Sequence, residues 1–294
     1  MPHILRNQEV TLHIDLPEEN YQLTRFDWTG KITQVTFQGK SFAGTELTEP
    51  GHTREKGMGF YNEFGIESPL GFSEADPGDW CHKIGVGLIQ KEGGEYDFHH
   101  LYACRPLDFE LELGQDVMGI ACQGELENGY AYRLEKEIHL LKQGFELRYQ
   151  LHNLGEKVID TQEYVHNFLS INGAPIGPDY RLRVPFLLQP GVLGQYINPN
   201  QVVDFAENQL SFSETPSEAF FFSNLSADQA IETSWRLENA AQQLGISERG
   251  NFACSGVNLW GMGHVISPEL FIQLRIAPGE KETWQRSYRF YELA

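Results

Sequence analysis

The chain has 294 residues and a formal charge of −19, from 22 Lys and Arg against 41 Asp and Glu. Such an acidic chain is not a general phosphate-backbone binder, which needs a basic face, and an anionic membrane surface is a poor partner for it. The length allows a sizeable core without disulfide staples, and an aromatic content of 12% excludes wholesale disorder.

Alternation with period two dominates the chain from its start. Val10, Leu12, Ile14 and Leu16 fall on one face of a strand. Tyr21 to Trp28 and Ile32 to Phe37 continue the pattern across a Thr29-Gly30-Lys31 turn. Residues 107–113 and 145–151 alternate strictly, and further strand-like runs lie near 84–90, 117–123, 131–141, 157–171, 181–188, 218–224, 230–237, 253–260, 270–277 and 283–291. A short helical turn is expected at Ser226–Ala230. Strict alternation means one buried and one wet face, the habit of antiparallel sheets. Runs this numerous, punctuated by Gly, Pro, Asn and Asp, predict an all-β protein, a large antiparallel β-sandwich. No linker divides the chain, so residues 1–294 are read as a single domain.

Ser41 to His82 is the exception, with little alternation and seven glycines. It reads either as a solvated acidic loop or as a loop framing a ligand pocket through Asn62, Glu63, Trp80 and His82. His99-His100 would place one imidazole inward and one outward on a strand. Asp76, Asp79 and His82 have a spacing too weak to assign a metal site, so no metal is expected. Cys81, Cys104, Cys122 and Cys254 show no C-x-x-C pattern and read as free thiols in a cytoplasmic protein. No apolar run approaches the roughly 18 residues of a membrane span, and no secretory signal opens the chain. Phosphate-cradling loops, the H-E-x-x-H helix and the G-x-S-x-G elbow are all missing from the sequence.

Two segments can carry chemistry. In Thr161–Ile171, His166 stands on a strand among aromatic and branched neighbours, with Asn167 beside it. In Trp260–Ile272, Glu269 opens an apolar strand directly after Pro268. A proline there interrupts the ladder, and a partly buried carboxylate has a raised pKa suited to proton transfer near neutrality.

The run Ile266–Glu280 followed by Trp284–Phe290 resembles the closing strands of galactose mutarotase-like proteins, the aldose 1-epimerases. Residues 27–32 and 42–44 are similar to that family's opening hairpins, and Glu163-Tyr164-Val165-His166-Asn167-Phe168 to its histidine motif. The family's His-Gly segment and its Tyr-Asp-His motif are missing, and His82 lies where the first histidine would stand. The resemblance implies a galactose mutarotase-like supersandwich that interconverts the anomers of a monosaccharide or sugar derivative, without a cofactor. It implies that Glu269, ionised at pH 7, takes the C1 hydroxyl proton while His166 protonates the ring oxygen. Asn62, Trp80, His82, Arg105, Asn167 and Trp260 are the expected sugar contacts, with Phe72 and Phe168 as further stacking surfaces. Two alternatives accompany this reading. One is a carbohydrate-binding protein without catalysis on the same fold. The other is a hexose-6-phosphate mutarotase, for which Arg181 and Arg183 are the phosphate-binding candidates.

Overall fold

The computed structural model describes residues 1–48, 55–227 and 229–293. Two large antiparallel sheets face each other. The first runs, in spatial order, through His3–Arg6, Val10–Asp15, Lys31–Phe37, Phe60–Phe64, Ile159–Asn167, Val265–Ile276, Cys254–Met262, Phe220–Phe222 and Tyr196–Ile197. The second runs through Val203–Ala206, Gln209–Phe212, Tyr180–Arg183, Ser234–Asn239, Leu244–Gly250, Lys281–Glu292, Gly144–Asn153, Tyr130–Leu141, Val117–Glu127 and Phe109–Leu113. A three-stranded sheet of Trp80–Lys83, Gly87–Gln90 and Cys104–Pro106 stands beside them. Among the described residues, no helix is long and apolar enough to cross a membrane. All four cysteines are free.

The alternation seen in the sequence builds this core directly. Phe145, Leu147, Tyr149 and Leu151 point inward, as do Leu134 and Ile138 from the neighbouring strand and Leu270, Leu274 and Ile276 from the opposite sheet. Each such side chain, fully buried, contributes roughly 1.5–3 kcal/mol before entropy is charged against it.

The core also holds charge. Arg286, fully buried, reaches Glu163 and Glu248, each at 2.7 Å, and the carbonyl of Leu270 at 2.9 Å. The Trp284 indole donates to Glu163 at 3.1 Å and the Trp235 indole to Glu248 at 2.7 Å. Burial opposes the charge on Arg286, but the two carboxylates hold its pKa well above the usual guanidinium range.

Three expectations change. Tyr21 to Trp28 is not a strand: its aromatic residues pack as irregular chain against the outer face of the first sheet, in a cluster with Tyr61, Phe168 and Val265. Phe60–Phe64, inside the stretch read as a loop, is a strand with every residue buried, so it shows no alternation. His99 and His100 lie in an exposed turn, not on a strand, and His100 meets Glu92 at 3.1 Å. Of the expected helical turn, Ser226 and Ala227 lie in a turn, and Asp228 falls outside the described residues.

Candidate active site

The strands Ile159–Asn167 and Val265–Ile276 are neighbours in the centre of the first sheet, paired in register as far as Glu163 opposite Ile272. Beyond that point Pro268, which has no N–H to give, opens the ladder. Pairing resumes only at the bridge between Leu169 and Ile266. Asn167 fills the gap: its Nδ2 donates to the Pro268 carbonyl at 2.6 Å, and its Oδ1 accepts from the Tyr288 hydroxyl at 3.0 Å.

Alternation then sends His166 and Glu269 to the opposite, outer face of this sheet. There His166 Nε2 stands 3.4 Å from Glu269 Oε1, and only 5% of either side chain is accessible. Ser267 Oγ donates to the same Glu269 oxygen at 3.0 Å. The imidazole is stacked on Phe168, ring centres 3.9 Å apart, and meets the edge of Trp260 at 5.4 Å. Gly57 makes room for that stack: a β-carbon there would come within 2.3 Å of Phe168. His166 Nδ1 and the Tyr61 hydroxyl are buried without a hydrogen-bond partner among the described residues. Tyr61 lies opposite His166 in register, on the same face. Orphaned buried polar atoms of this kind mark a place for water or a ligand.

Desolvation raises the Glu269 pKa from its ordinary 4.5 to about 8, against the opposing pull of the Ser267 hydrogen bond and the positive charge of Arg25. Desolvation, helped by Arg25, pushes His166 well below 6.5. The pair therefore rests at pH 7 as a carboxylic acid beside a neutral imidazole. This reverses the expected protonation, a carboxylate with an imidazolium, because the site is buried far more deeply than a strand opening suggests.

No protein-family model matches the sequence, and no curated protein matches it. Solved structures do. A protein of Escherichia coli K12 provisionally named an aldose 1-epimerase superposes with a TM-score of 0.63 at 12% identity, over 100% of this chain and 99% of its own. A galactose mutarotase-like protein of Lactobacillus casei ATCC 334 gives 0.58 at 11%, over 99% and 100%. The Slr1438 protein of Synechocystis sp. PCC 6803 gives 0.60 at 11%, over 99% and 96%.

The fold is that of the galactose mutarotase-like proteins.

Within this mutarotase-like fold, His166, Glu269, Trp260 and Phe168 come together and the other expected contacts do not. Asn62 is no loop residue: it faces the inter-sheet core, where its Nδ2 donates to Glu163 at 2.5 Å and its Oδ1 accepts from Lys136 and Tyr149. Asn167 likewise points away from the outer face, so it sets the position of Pro268 rather than meeting a ligand there. His82 turns to the carbonyl of Glu125 at 2.9 Å and to the edge of Tyr132, in the second sheet. Trp80 is covered by the Arg105 guanidinium, 3.8 Å from its ring centre, on the small three-stranded sheet. Phe72 packs with Tyr96 and Tyr102 in a separate cluster. Arg181 and Arg183 lie on the second sheet, not on the sheet that carries His166 and Glu269, so they cannot serve the phosphate of a sugar bound at that pair.

The residues around the pair that the sequence reading missed are Arg25, Tyr164 and Ser267. Tyr164 lies two positions before His166 on the same strand face, and its hydroxyl donates to Glu63 at 2.6 Å. Arg25 donates to Glu63 at 3.0 Å and to the Tyr164 hydroxyl at 3.2 Å, its guanidinium between the rings of Phe26 and Phe98. The period-two spacing of Tyr164 and of Ser267 from the two named residues was a usable signal. Arg25 lies in irregular chain and left no such mark.

Proposed function

We propose that the chain is an aldose 1-epimerase-like isomerase that opens and recloses the ring of a monosaccharide or sugar derivative. The observation that carries this reading is the 3.4 Å approach of His166 Nε2 to Glu269 Oε1, with an unpartnered Nδ1 on the same imidazole. Ring opening needs one group to take the C1 hydroxyl proton and another to give a proton to the ring oxygen. From its resting form, neutral His166 takes the first proton and the Glu269 carboxylic acid gives the second. The pair is then imidazolium and carboxylate. Reclosure on the other face of the aldehyde runs both transfers backwards: His166 returns a proton to the carbonyl oxygen and Glu269 takes one from the ring hydroxyl. No proton is gained or lost and no cofactor is used. A positioned acid–base pair of this kind contributes about 10²–10⁴-fold per proton transfer.

Only 5% of the His166 and Glu269 side chains is accessible, so a sugar reaches the pair only when the side chains that cover it shift. That same burial favours the second reading, a carbohydrate-binding protein on this fold whose chemistry is lost. Polarimetry on freshly dissolved single anomers of glucose, galactose and related aldoses separates the two. The isomerase accelerates mutarotation of at least one sugar. A protein that changes its tryptophan fluorescence with sugar but leaves every mutarotation rate at the buffer value is the binder. The four free cysteines support, within this reading, a reducing setting such as the cytoplasm.

A further inference from the structure

A cavity of about 720 Å³ opens on the outer face of the second sheet, and neither His166 nor Glu269 lines it. Its floor is three neighbouring strands, Ser234–Asn239, Leu244–Gly250 and Lys281–Glu292. Register places Arg236, Ser247 and Arg289 in one cross-strand row, and Ser234, Arg249 and Ser287 in the next. Arginine and serine thus alternate in both directions. Arg183 stands directly opposite Arg236 and lengthens the row.

Like charges directly opposite one another weaken a sheet, and this chain has only 22 Lys and Arg to distribute. The acids nearby are already engaged: Glu232 with Arg249 at 3.3 Å, Glu238 with Arg183 at 3.4 Å, and Glu146 with Arg148 at 2.6 Å. Arg236 and Arg289 have no ion-pair partner among the described residues, and the Ser247 hydroxyl between them has no hydrogen-bond partner there. Two exposed guanidinium groups bracketing a hydroxyl on the floor of a cavity present the donor set that an anion takes.

We infer that this face binds a phosphorylated sugar, with the phosphoryl group over Ser247 between Arg236 and Arg289. The two arginines stand two strands apart, about 10 Å between their backbones, a span their long side chains close over one tetrahedral group. Planar guanidinium groups supply paired N–H donors to phosphoryl oxygens. A phosphoryl group fills a minor part of the cavity, whose volume lies in the range of small-molecule sites. Gln143, Ser234 and Tyr291 line the remainder; Gln143 already donates to Glu9 and Tyr291 to Glu238, which leaves their oxygens as acceptors for hydroxyl groups. The site is independent of the His166–Glu269 pair and of the reaction proposed for it.

The test is titration calorimetry of the whole chain with glucose 6-phosphate, inorganic phosphate and glucose, with intrinsic tryptophan fluorescence, to which Trp235 beneath the cavity floor contributes, as a second readout. Glucose 6-phosphate is expected to bind more tightly than inorganic phosphate. The double variant Arg236→Ser/Arg289→Ser is expected to weaken it about 10- to 100-fold, the loss of charge-assisted hydrogen bonds, with Tm and near-UV circular dichroism unchanged because both positions are exposed. Three results overturn the inference: no binding of glucose 6-phosphate at about 10 mM, a double variant that binds as well as the parent, or inorganic phosphate matching glucose 6-phosphate.

Discussion

Glu269 gives the site its dependence on pH. Its folded pKa of about 8 lies above the ordinary 4.5, so the folded state holds its proton more tightly than the unfolded chain does. The stability this supplies is complete below about pH 4.5 and is lost as pH rises through 8. Glu269→Gln keeps a neutral group at every pH and removes that loss. Its Tm, followed from pH 5 to pH 9, is expected to fall less than that of the parent. Parallel curves would mean that the carboxyl is not desolvated. His166, depressed below 6.5, has the opposite sign, and its contribution is lost only on the acid side. The sequence marked both residues because each breaks the pattern of an apolar strand. It did not disclose their charge states, which depend on how completely the folded chain removes both groups from water.

At the scale of the element, Pro268 and Asn167 explain how two central strands stay joined where their ladder opens beside His166 and Glu269. The ladder that proline cannot complete is replaced by the Asn167 amide, 2.6 Å from the Pro268 carbonyl. Asn167→Ala leaves that carbonyl and the Tyr288 hydroxyl unpaired in the core and is expected to cost about 1–3 kcal/mol in urea denaturation. If Asn167 also positions Glu269, kcat for the most responsive sugar falls about 10–100-fold with KM little changed. A purely structural role would lower Tm and leave kcat intact. The strands themselves were legible wherever one face is wet, as at 131–141 and 145–151. They were not legible at Phe60–Phe64, where both faces are covered, and Tyr21–Trp28 imitated a strand because aromatic cover has the same composition as aromatic core.

Across the molecule, the sheets are joined by a buried charge cluster as well as by apolar packing. Arg286 extends from the second sheet to Glu163 in the first and to Glu248 in its own. Arg286→Met strands two carboxylates in the core and is expected to cost about 3–5 kcal/mol in urea denaturation. A loss under about 1 kcal/mol would mean that the cluster is solvated. The β-sandwich was legible because turns and alternation are local, and the resemblance to the mutarotase-like fold because short runs such as 163–168 and 266–280 carry it. The asparagine and histidine contacts were not, because the face a strand residue takes, and the sheet to which its strand belongs, depend on pairings made far apart in the chain.

The most direct measurement is anomer exchange by NMR at pH 7 on the sugar the parent chain turns over fastest, for His166→Ala, Glu269→Gln and the double variant. A pair that passes protons as one unit predicts that either single change slows exchange by at least about 100-fold and that the double change adds little. Exchange at the parent rate in both single variants would contradict the assignment of the site.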